Sequence, residues 1–276
     1  MPPIRIRELV KRFGDQTVLG GIDLDVHEGE TMVVMGGSGS GKSTLLRTMI
    51  GSIEPDAGSV ELFGQDISHM NEAQLDEVRK KIGILFQSGA LFNSMTLREN
   101  VALPLEEHTK LPRETIDIVV TIKLELVGLR EHGDKFPAQI SGGMKKRAGL
   151  ARALSLDPQM LFYDEPSAGL DPVTSAEIDQ LIIKLSRELG VTSVVVTHEM
   201  GSAFTIADRM TMLDKGKILM TDTRQAFEAI RDTDRDLTQD EAVVRQFLRG
   251  DAEGPITSRK QTTGYEEDLL GIAPVP

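Results

Sequence analysis

The sequence predicts an α/β fold, because two kinds of segment alternate along the chain. Short apolar segments at 31–35, 82–86, 160–163 and 192–197 have the composition of strands that are buried on both faces of a parallel sheet. Segments of helical composition or helical spacing separate them. This alternation is typical of a parallel sheet covered by helices.

The N-terminal part, residues 4–35, is predicted to form strands. Apolar and polar residues alternate there with the period of a half-buried strand, and the apolar members are Ile22, Leu24 and Val26. The strand at 31–35 leads into a glycine-rich turn at 36–41, and residues 42–50 have the composition of a helix. The chain therefore begins with strands and passes through a turn into its first helix.

The middle of the chain is predicted to be mostly helical. Asn71 and Gln74 have the spacing of a capping box, which predicts a helix to about residue 81. Strand patterns are absent from residues 88–140, and residues 112–129 carry apolar side chains at helical spacing. We interpret 88–156 as a helical lobe inserted into the sheet domain.

The C-terminal half returns to strands and helices. Asp171 followed by Pro172 predicts the N-cap and first turn of a helix that runs to about residue 189. Residues 209–220 are predicted to form a hairpin that turns at 215–217.

Residues 231–276 are polar and acidic, so we predict one domain at 1–230 and a C-terminal extension at 231–276. Two apolar patches interrupt the extension, at Val243, Val244, Phe247 and Leu248 and at Tyr265, Leu269 and Leu270. We expect them to pack either against the chain's own domain or against a neighbouring subunit.

Composition excludes several functional classes. The 276 residues carry a formal net charge of -12, so no general electrostatic attraction to nucleic acid or anionic lipid is expected. The absence of cysteine excludes disulfides, thiolate metal sites and a cysteine nucleophile. Apolar segments are strand-sized, and the N-terminal sequence lacks the apolar core of a signal peptide. We therefore expect a cytoplasmic protein that reaches a membrane only by docking onto a partner.

Residues 36–43 match the pattern G-x-x-x-x-G-K-[ST] between a predicted strand and a predicted helix. Glycines let backbone N–H groups approach phosphate oxygens closely, and the positive end of the following helix faces the same oxygens. Lys42 is expected to bridge the β- and γ-phosphates, and the Ser43 hydroxyl to bind Mg²⁺. The predicted nucleotide-binding residues of this phosphate loop are Gly36, Gly37, Ser38, Gly39, Ser40, Gly41, Lys42, Ser43 and Thr44.

Two acidic residues end the buried strand at 160–163. The carboxyl ends of parallel strands form the edge where α/β sheets bind ligands, so Asp164 is predicted to hold Mg²⁺ through water. Glu165, one residue further, is predicted to polarise the water that attacks the γ-phosphate. Alone, the pair would be as consistent with a solvated strand end; the phosphate loop favours the metal site.

Together with five further segments, these motifs resemble the ABC-type ATPases over about residues 4–222. The resembling segments are the signature at 140–144, Gln87 after a strand, the D-loop at 167–171, His198 after a strand, and Phe13 in the place of the aromatic residue that stacks on adenine. The resemblance implies a parallel-sheet core with an N-terminal antiparallel β subdomain. It also implies catalytic roles for Glu165, His198 and Gln87 and a metal site of Ser43, Gln87 and Asp164. Taken alone, His198 would more often be a structural residue without a task, and Phe13 would be a core or edge residue as often as a stacking one.

Residues Ser141, Gly142 and Gly143 are predicted to open a helix whose free N–H groups form a second anion site. In the family that this sequence resembles, two chains pack head to tail, so each ATP would lie between Lys42 of one chain and Ser141 of the other. Asp171 of the D-loop is expected beside this shared nucleotide. ATP would then hold the dimer closed, and hydrolysis would open it.

Met144 stands where the consensus signature has glutamine. Together with residues 86–92, residues 100–108 and the C-terminal segments, it makes the chain resemble the Mla/Mce-type phospholipid transport ATPases along nearly its whole length. That resemblance implies a homodimer bound to an integral membrane permease on the cytoplasmic face of the inner membrane. It further implies an MCE-domain lipid-binding protein, a small STAS-domain protein, and a permease coupling helix near residues 87–92.

Two other functions stay open from the residues alone. The chain would also suit the motor of another transporter, such as one for polar amino acids, or an ABC ATPase that works without a permease. An ordinary P-loop kinase is disfavoured because it has no need of Ser141-Gly142-Gly143. The basic run Lys145-Lys146-Arg147 is interpreted as a solvated helix face rather than a nucleic-acid site.

Overall fold

The structure is a computed structural model that describes residues 2–233 and 235–261. Its strands are β1 (Ile4–Phe13), β2 (Gln16–Val26), β3 (Thr31–Met35), β4 (Ala57–Leu62), β5 (Gln65–Asp66), β6 (Ile82–Leu85), β7 (Met160–Asp164), β8 (Thr192–Val196), β9 (Arg209–Asp214) and β10 (Lys217–Thr223). Its α-helices are α1 (Lys42–Met49), α2 (Glu72–Arg79), α3 (Leu97–His108), α4 (Arg113–Leu126), α5 (Gly142–Ala153), α6 (Pro172–Leu189), α7 (Met200–Ile206), α8 (Arg224–Asp232), α9 (Gln239–Arg249) and α10 (Pro255–Gln261).

Two sheets organise the molecule. The central sheet has the strand order β10-β9-β3-β8-β7-β6 and is parallel except for β10, which returns antiparallel to β9. A four-stranded antiparallel sheet has the order β2-β1-β4-β5. The predicted parallel core and N-terminal antiparallel β structure are both confirmed.

Successive side chains of a central strand point to opposite faces of the sheet, so its apolar residues are divided between two cores. Met32 and Val34 of β3 belong to the core that α1 and the antiparallel sheet cover, whereas Val33 and Met35 belong to the core that contains α3, α4 and α5. Both faces of β3 are therefore buried, which explains why its sequence is apolar without alternation.

Local sequence patterns account for several helix boundaries. Asn71 and Gln74 form the predicted capping box, each side chain bonding to the other residue's backbone N–H. Asp171 caps α6, accepting hydrogen bonds from the N–H groups of Val173 and Thr174. Helices α3, α4 and α5 occupy the segment that was predicted to be helical.

Some elements were not predicted. Strand β4 begins with Ala57, Gly58 and Ser59, residues of low strand propensity, and it forms because Val60 and Leu62 pair beside β1 and enter a core. Helices α7, α8 and α9 were also missed, although threonine N-caps at Thr223 and Thr238 precede the last two.

The apolar stripe at 243–248 lies on α9. Val243 and Val244 are fully buried in the core shared by β7 and the helices α3 to α5. The second predicted patch, at Tyr265, Leu269 and Leu270, lies outside the described residues. Within the described part of the chain, no helix combines the length and the hydropathy needed to cross a membrane.

Candidate nucleotide-binding site

The phosphate loop connects β3 to α1 by a path that requires glycine. Gly36 has φ 151°, and a Cβ there would lie 2.1 Å from the carbonyl oxygen of Leu213. Gly41, the N-cap of α1, has φ 108°, and its Cβ would lie 2.9 Å from a methyl group of Leu19. Gly41 itself has no side chain, and none from the described residues caps α1. The N–H groups of its first turn thus remain available to a bound anion.

The side chain of Lys42 folds back over this loop. Its ammonium group donates to the carbonyl oxygens of Gly36, at 2.8 Å, and Gly37, at 2.9 Å. Burial lowers the pKa of Lys42, while the carboxylates of Glu165 and Asp164 act in the opposite direction. The ammonium group is therefore held at the centre of the loop, and two carboxylates face it. A group that bridges the phosphates and a metal site needs this position.

Asp164 and Glu165 stand at the carboxyl end of β7. Burial, and then the neighbouring Glu165 carboxylate, raise the pKa of Asp164 above its usual range. Glu165 has a left-handed backbone, with φ 50°, and its Oε1 lies 2.9 Å from Nδ1 of His198. Its Oε2 is buried with no hydrogen-bond partner among the residues that the structure describes. An unpartnered buried carboxylate oxygen is costly, which fits an acceptor reserved for a ligand.

The signature segment forms the start of α5 as predicted. Ser141 caps the helix through a hydrogen bond from the Met144 N–H, and both Ser141 and Gly142 are exposed. A Cβ at Gly143 would lie 2.4 Å from Thr174 Cγ2, so the glycine allows α5 to pack closely on α6. The exposed helix start carrying Ser141 thus lies beside the start of α6, where Asp171 is the N-cap.

Gln87 lies in the turn that follows β6, with its side chain exposed. The turn is fixed to α5, because Arg152 donates to the carbonyl oxygens of Gly89 and Ala90. Gly149 contributes to the same close approach, since a Cβ there would lie 2.9 Å from the Gly89 carbonyl oxygen. A single helix therefore carries the signature segment at its start and holds the Gln87 turn near its end.

Phe13 ends β1 at the tip of the β1–β2 hairpin. Its side chain is 51% exposed, and the Lys11 ammonium lies 5.6 Å from the ring centroid. A Cβ at Gly41 of the phosphate loop would lie 2.9 Å from a methyl group of Leu19 and 3.0 Å from the Val18 carbonyl oxygen, both on the second strand of that hairpin. The hairpin thus places an exposed aromatic ring on a strand pair that packs against the loop.

The interpretation of residues 145–147 as a solvated face was wrong for Lys146. This side chain is only 5% exposed, and its ammonium donates to the carbonyl oxygen of Glu165 at 2.8 Å. Arg147 pairs with Glu177 at 2.6 Å. Helical spacing could have identified Lys146, because it lies three residues after buried Gly143 and four before buried Leu150.

The residues present fit a magnesium–nucleotide complex. The phosphate loop supplies uncapped N–H groups and the Lys42 ammonium, and the buried Ser40 hydroxyl has no partner within the described ranges. Mg²⁺ binds through few protein oxygens together with water and phosphate oxygens. Ser43 at the start of α1 and Asp164 at the end of β7 offer such oxygens.

Comparison with known proteins relates the chain to transport ATPases. Residues 19–168 match the family described as ABC transporter. The chain is 45% identical over 270 residues to the probable ribonucleotide transport ATP-binding protein mkl of Mycobacterium leprae, covering 97% of this chain and 75% of that protein. It is 41% identical over 267 residues to the intermembrane phospholipid transport system ATP-binding protein MlaF of Escherichia coli K12, covering 97% and 96%.

Solved structures are similar over most of the chain. The ATP-binding cassette MJ0796, solved as a dimer bound to ADP and Pi, has a TM-score of 0.74 and 31% identity and covers 80% of this chain and 98% of its own. The cbiO1 protein of Clostridium perfringens, part of an ABC transporter complex, has a TM-score of 0.77 and 29% identity, with 83% and 91% covered.

Proposed function

The chain belongs to the ABC transporter family of ATP-binding proteins, and from this premise we propose that it is the ATP-hydrolysing subunit of a transporter that moves phospholipids between the inner and outer membranes. The match to MlaF carries the phospholipid assignment, since it extends over 97% of this chain and 96% of that protein. A similarity confined to the nucleotide-binding segment would point to an ABC ATPase without indicating its cargo.

We assign the residues of the site as follows. The phosphate loop holds the triphosphate, Lys42 neutralises its charge, and Ser43, Asp164 and Gln87 hold Mg²⁺, which supplies charge neutralisation when bound. Phe13 stacks on the adenine. Glu165 accepts the proton of the attacking water through Oε2, while His198 orients Oε1 from 2.9 Å.

We further propose that the working unit is a head-to-tail homodimer. Ser141, Gly142 and Gly143 present the start of α5 at the surface, and Asp171 lies at the start of the helix packed beside it. Exposed N–H groups at a helix start bind anions and gain from the helix dipole. The solved dimer of a related cassette supports a homodimer. In the head-to-tail arrangement that we propose, the γ-phosphate of the partner's nucleotide binds at the start of α5.

We propose that the permease binds to an apolar surface next to the Gln87 turn. Phe86 and Phe92, on either side of the turn, are 40% and 50% exposed. Pro104, His108 and Leu156 line the same groove as Phe86. A coupling helix bound there would contact the turn that also supplies a metal ligand.

We accordingly place the protein at the cytoplasmic face of the inner membrane, with an MCE-domain protein and a small STAS-domain protein as further partners of the complex.

The decisive experiment is to purify this chain with its partners from detergent-solubilised membranes and to identify the bound proteins and lipids by mass spectrometry. We expect a permease, an MCE-domain protein and phospholipid. Ribonucleotides without phospholipid would favour the second candidate, which the mkl relatives at 43–45% identity motivate. Absence of the chain from washed membranes would refute a transporter role altogether.

A further inference from the structure

Helix α5 contacts two functional segments of the same chain. Its start, at Ser141, is the part that the proposed function assigns to the partner's nucleotide. One turn further along, Lys146 reaches Glu165, the residue assigned to the chain's own nucleotide, and donates to its carbonyl oxygen at 2.8 Å. One rigid helix therefore carries Ser141, which is assigned to the partner's nucleotide, and contacts Glu165, which is assigned to the chain's own nucleotide.

The backbone of Glu165 needs support from outside its own segment. A left-handed conformation, here φ 50°, costs a residue with a side chain about 1 kcal/mol or more, and surrounding contacts must hold it. Its N–H donates to the carbonyl oxygen of Val196 on β8, and its carbonyl oxygen accepts from Lys146 on α5. Strand β8 and helix α5 thus hold the two peptide groups that flank the Cα of Glu165, and with them the direction of its carboxylate.

Lys146 is suited to this contact by its burial and its surroundings. The side chain is buried, and the carboxylates of Asp164, Glu165 and Glu199 act on its ammonium, against the effect of burial. Removing the ammonium would leave the Glu165 carbonyl without this donor and would remove a positive charge facing three carboxylates. An alkyl side chain of similar length would preserve the packing of the stem.

We propose that Lys146 is a positioning residue that fixes the orientation of Glu165 from the signature helix, so that a shift of the start of α5 is transmitted to the Glu165 carboxylate of the same chain. The inference rests on the roles given above to Glu165 and Ser141. It predicts an effect on turnover that operates through the Glu165 carboxylate, with little effect on nucleotide affinity.

The first test compares Lys146→Met with Lys146→Arg in the full-length protein. Lys146→Met is expected to lower kcat about 10-fold, with KM and the Kd for ATP within about twofold of the natural protein. Lys146→Arg, which retains a charged donor, is expected to restore kcat to within about threefold. Lys145→Met is the matched control, because the backbone N–H of Lys145 donates to the Ser141 carbonyl oxygen, whereas its side chain makes no hydrogen bond or ion pair with the described residues.

The second test adds each substitution to Glu165→Gln. If Lys146 acts through the carboxylate, Lys146→Met lowers the residual single-turnover rate of Glu165→Gln by less than about twofold. An additional 10-fold loss in that background would overturn the proposal, as would normal kcat in Lys146→Met alone. If Lys146→Met lowers the melting temperature, Lys146→Leu, which also lacks a donor, replaces it in the same comparison. Normal turnover in Glu165→Gln itself would instead refute the proposed role of Glu165.

Discussion

Nδ1 of His198 lies 2.9 Å from Oε1 of Glu165, although the two residues are 33 positions apart in the chain. The Glu165 side chain is 13% exposed and the His198 side chain 60%. The contact engages one carboxylate oxygen, and the other, Oε2, is buried without a partner among the described residues. In the role proposed for Glu165, Oε2 is therefore the oxygen that would accept a proton from water during hydrolysis.

Glu165→Gln is expected to retain ATP binding and to lower the rate of phosphate release by about 10² or more, because an amide cannot accept the proton. The closed dimer should accumulate with ATP, as measured by size-exclusion chromatography. Glu188→Gln removes an exposed carboxylate from the end of α6 and serves as the control. Near-normal phosphate release by Glu165→Gln would remove Glu165 from its assigned role.

Lys42→Ala is expected to weaken ATP binding about 10-fold or more, because a charged hydrogen bond to phosphate contributes about 1.5–3 kcal/mol. Titration calorimetry measures the change directly. The melting temperature of the nucleotide-free protein provides the control, because Lys42 also donates to two carbonyl oxygens of the loop. Unchanged affinity in a folded variant would contradict the assignment.

Ser141→Arg is expected to leave ATP binding by the isolated chain intact and to abolish turnover. The substitution lies at an exposed helix start, where loss of the cap costs about 1 kcal/mol, too little to unfold the chain. The large cation would instead obstruct the partner's nucleotide. Full ATPase activity in Ser141→Arg would show that Ser141 does not face a second site.

Mixed dimers of Lys42→Ala and Ser141→Arg chains provide a complementary test. Such a dimer contains one site with both defects and one site with neither. We expect ATPase activity above that of either variant alone, measured after isolation of the dimer by two affinity tags. If the mixed dimers form but are no more active than either variant alone, this result would contradict the proposal that each site is shared between two chains and can work without the other site.

Gly36→Ala and Gly37→Ala should separate folding from ligand binding. A Cβ at Gly36 collides with the Leu213 carbonyl oxygen at 2.1 Å, whereas a Cβ at Gly37 has no neighbour within 4 Å. We expect the first variant to lower the melting temperature by about 5 °C or more and the second to leave it unchanged. Gly37→Ala should still bind ATP less tightly, because phosphate oxygens that approach the loop backbone at Gly37 would meet the added methyl group. Equal melting temperatures would refute this packing.

Truncation can test the role of the C-terminal segment if the cut leaves the buried core residues in place. A chain ending at residue 230 loses Val243 and Val244, both fully buried, so we expect a lower melting temperature from a loss of about 1.5–3 kcal/mol per side chain. A chain ending at residue 261 retains every contact described here. We expect it to keep its ATPase activity and to bind its partner complex more weakly. An unchanged complex on size exclusion would show that residues 262–276 are not needed for assembly.

Features that depend on contiguous residues were predictable from the sequence. The phosphate loop, the caps at Asn71, Ser141 and Asp171, and the central strands each follow from backbone chemistry or from periodicity within one segment. Where local propensity was weak, as in β4, the sequence signal failed, because strand pairing with β1 decides that segment.

The binding and hydrolysis of a nucleotide could be predicted from the amino-acid sequence alone, since the order and spacing of its motifs specify local groups with defined chemistry. The orientation of those groups could be learned only from the folded structure. It placed His198 on Glu165, turned Lys146 inward to the carbonyl of that residue, and buried α9 in the core. The reason is that such contacts join residues far apart in the chain, and their geometry depends on how helices and sheets pack.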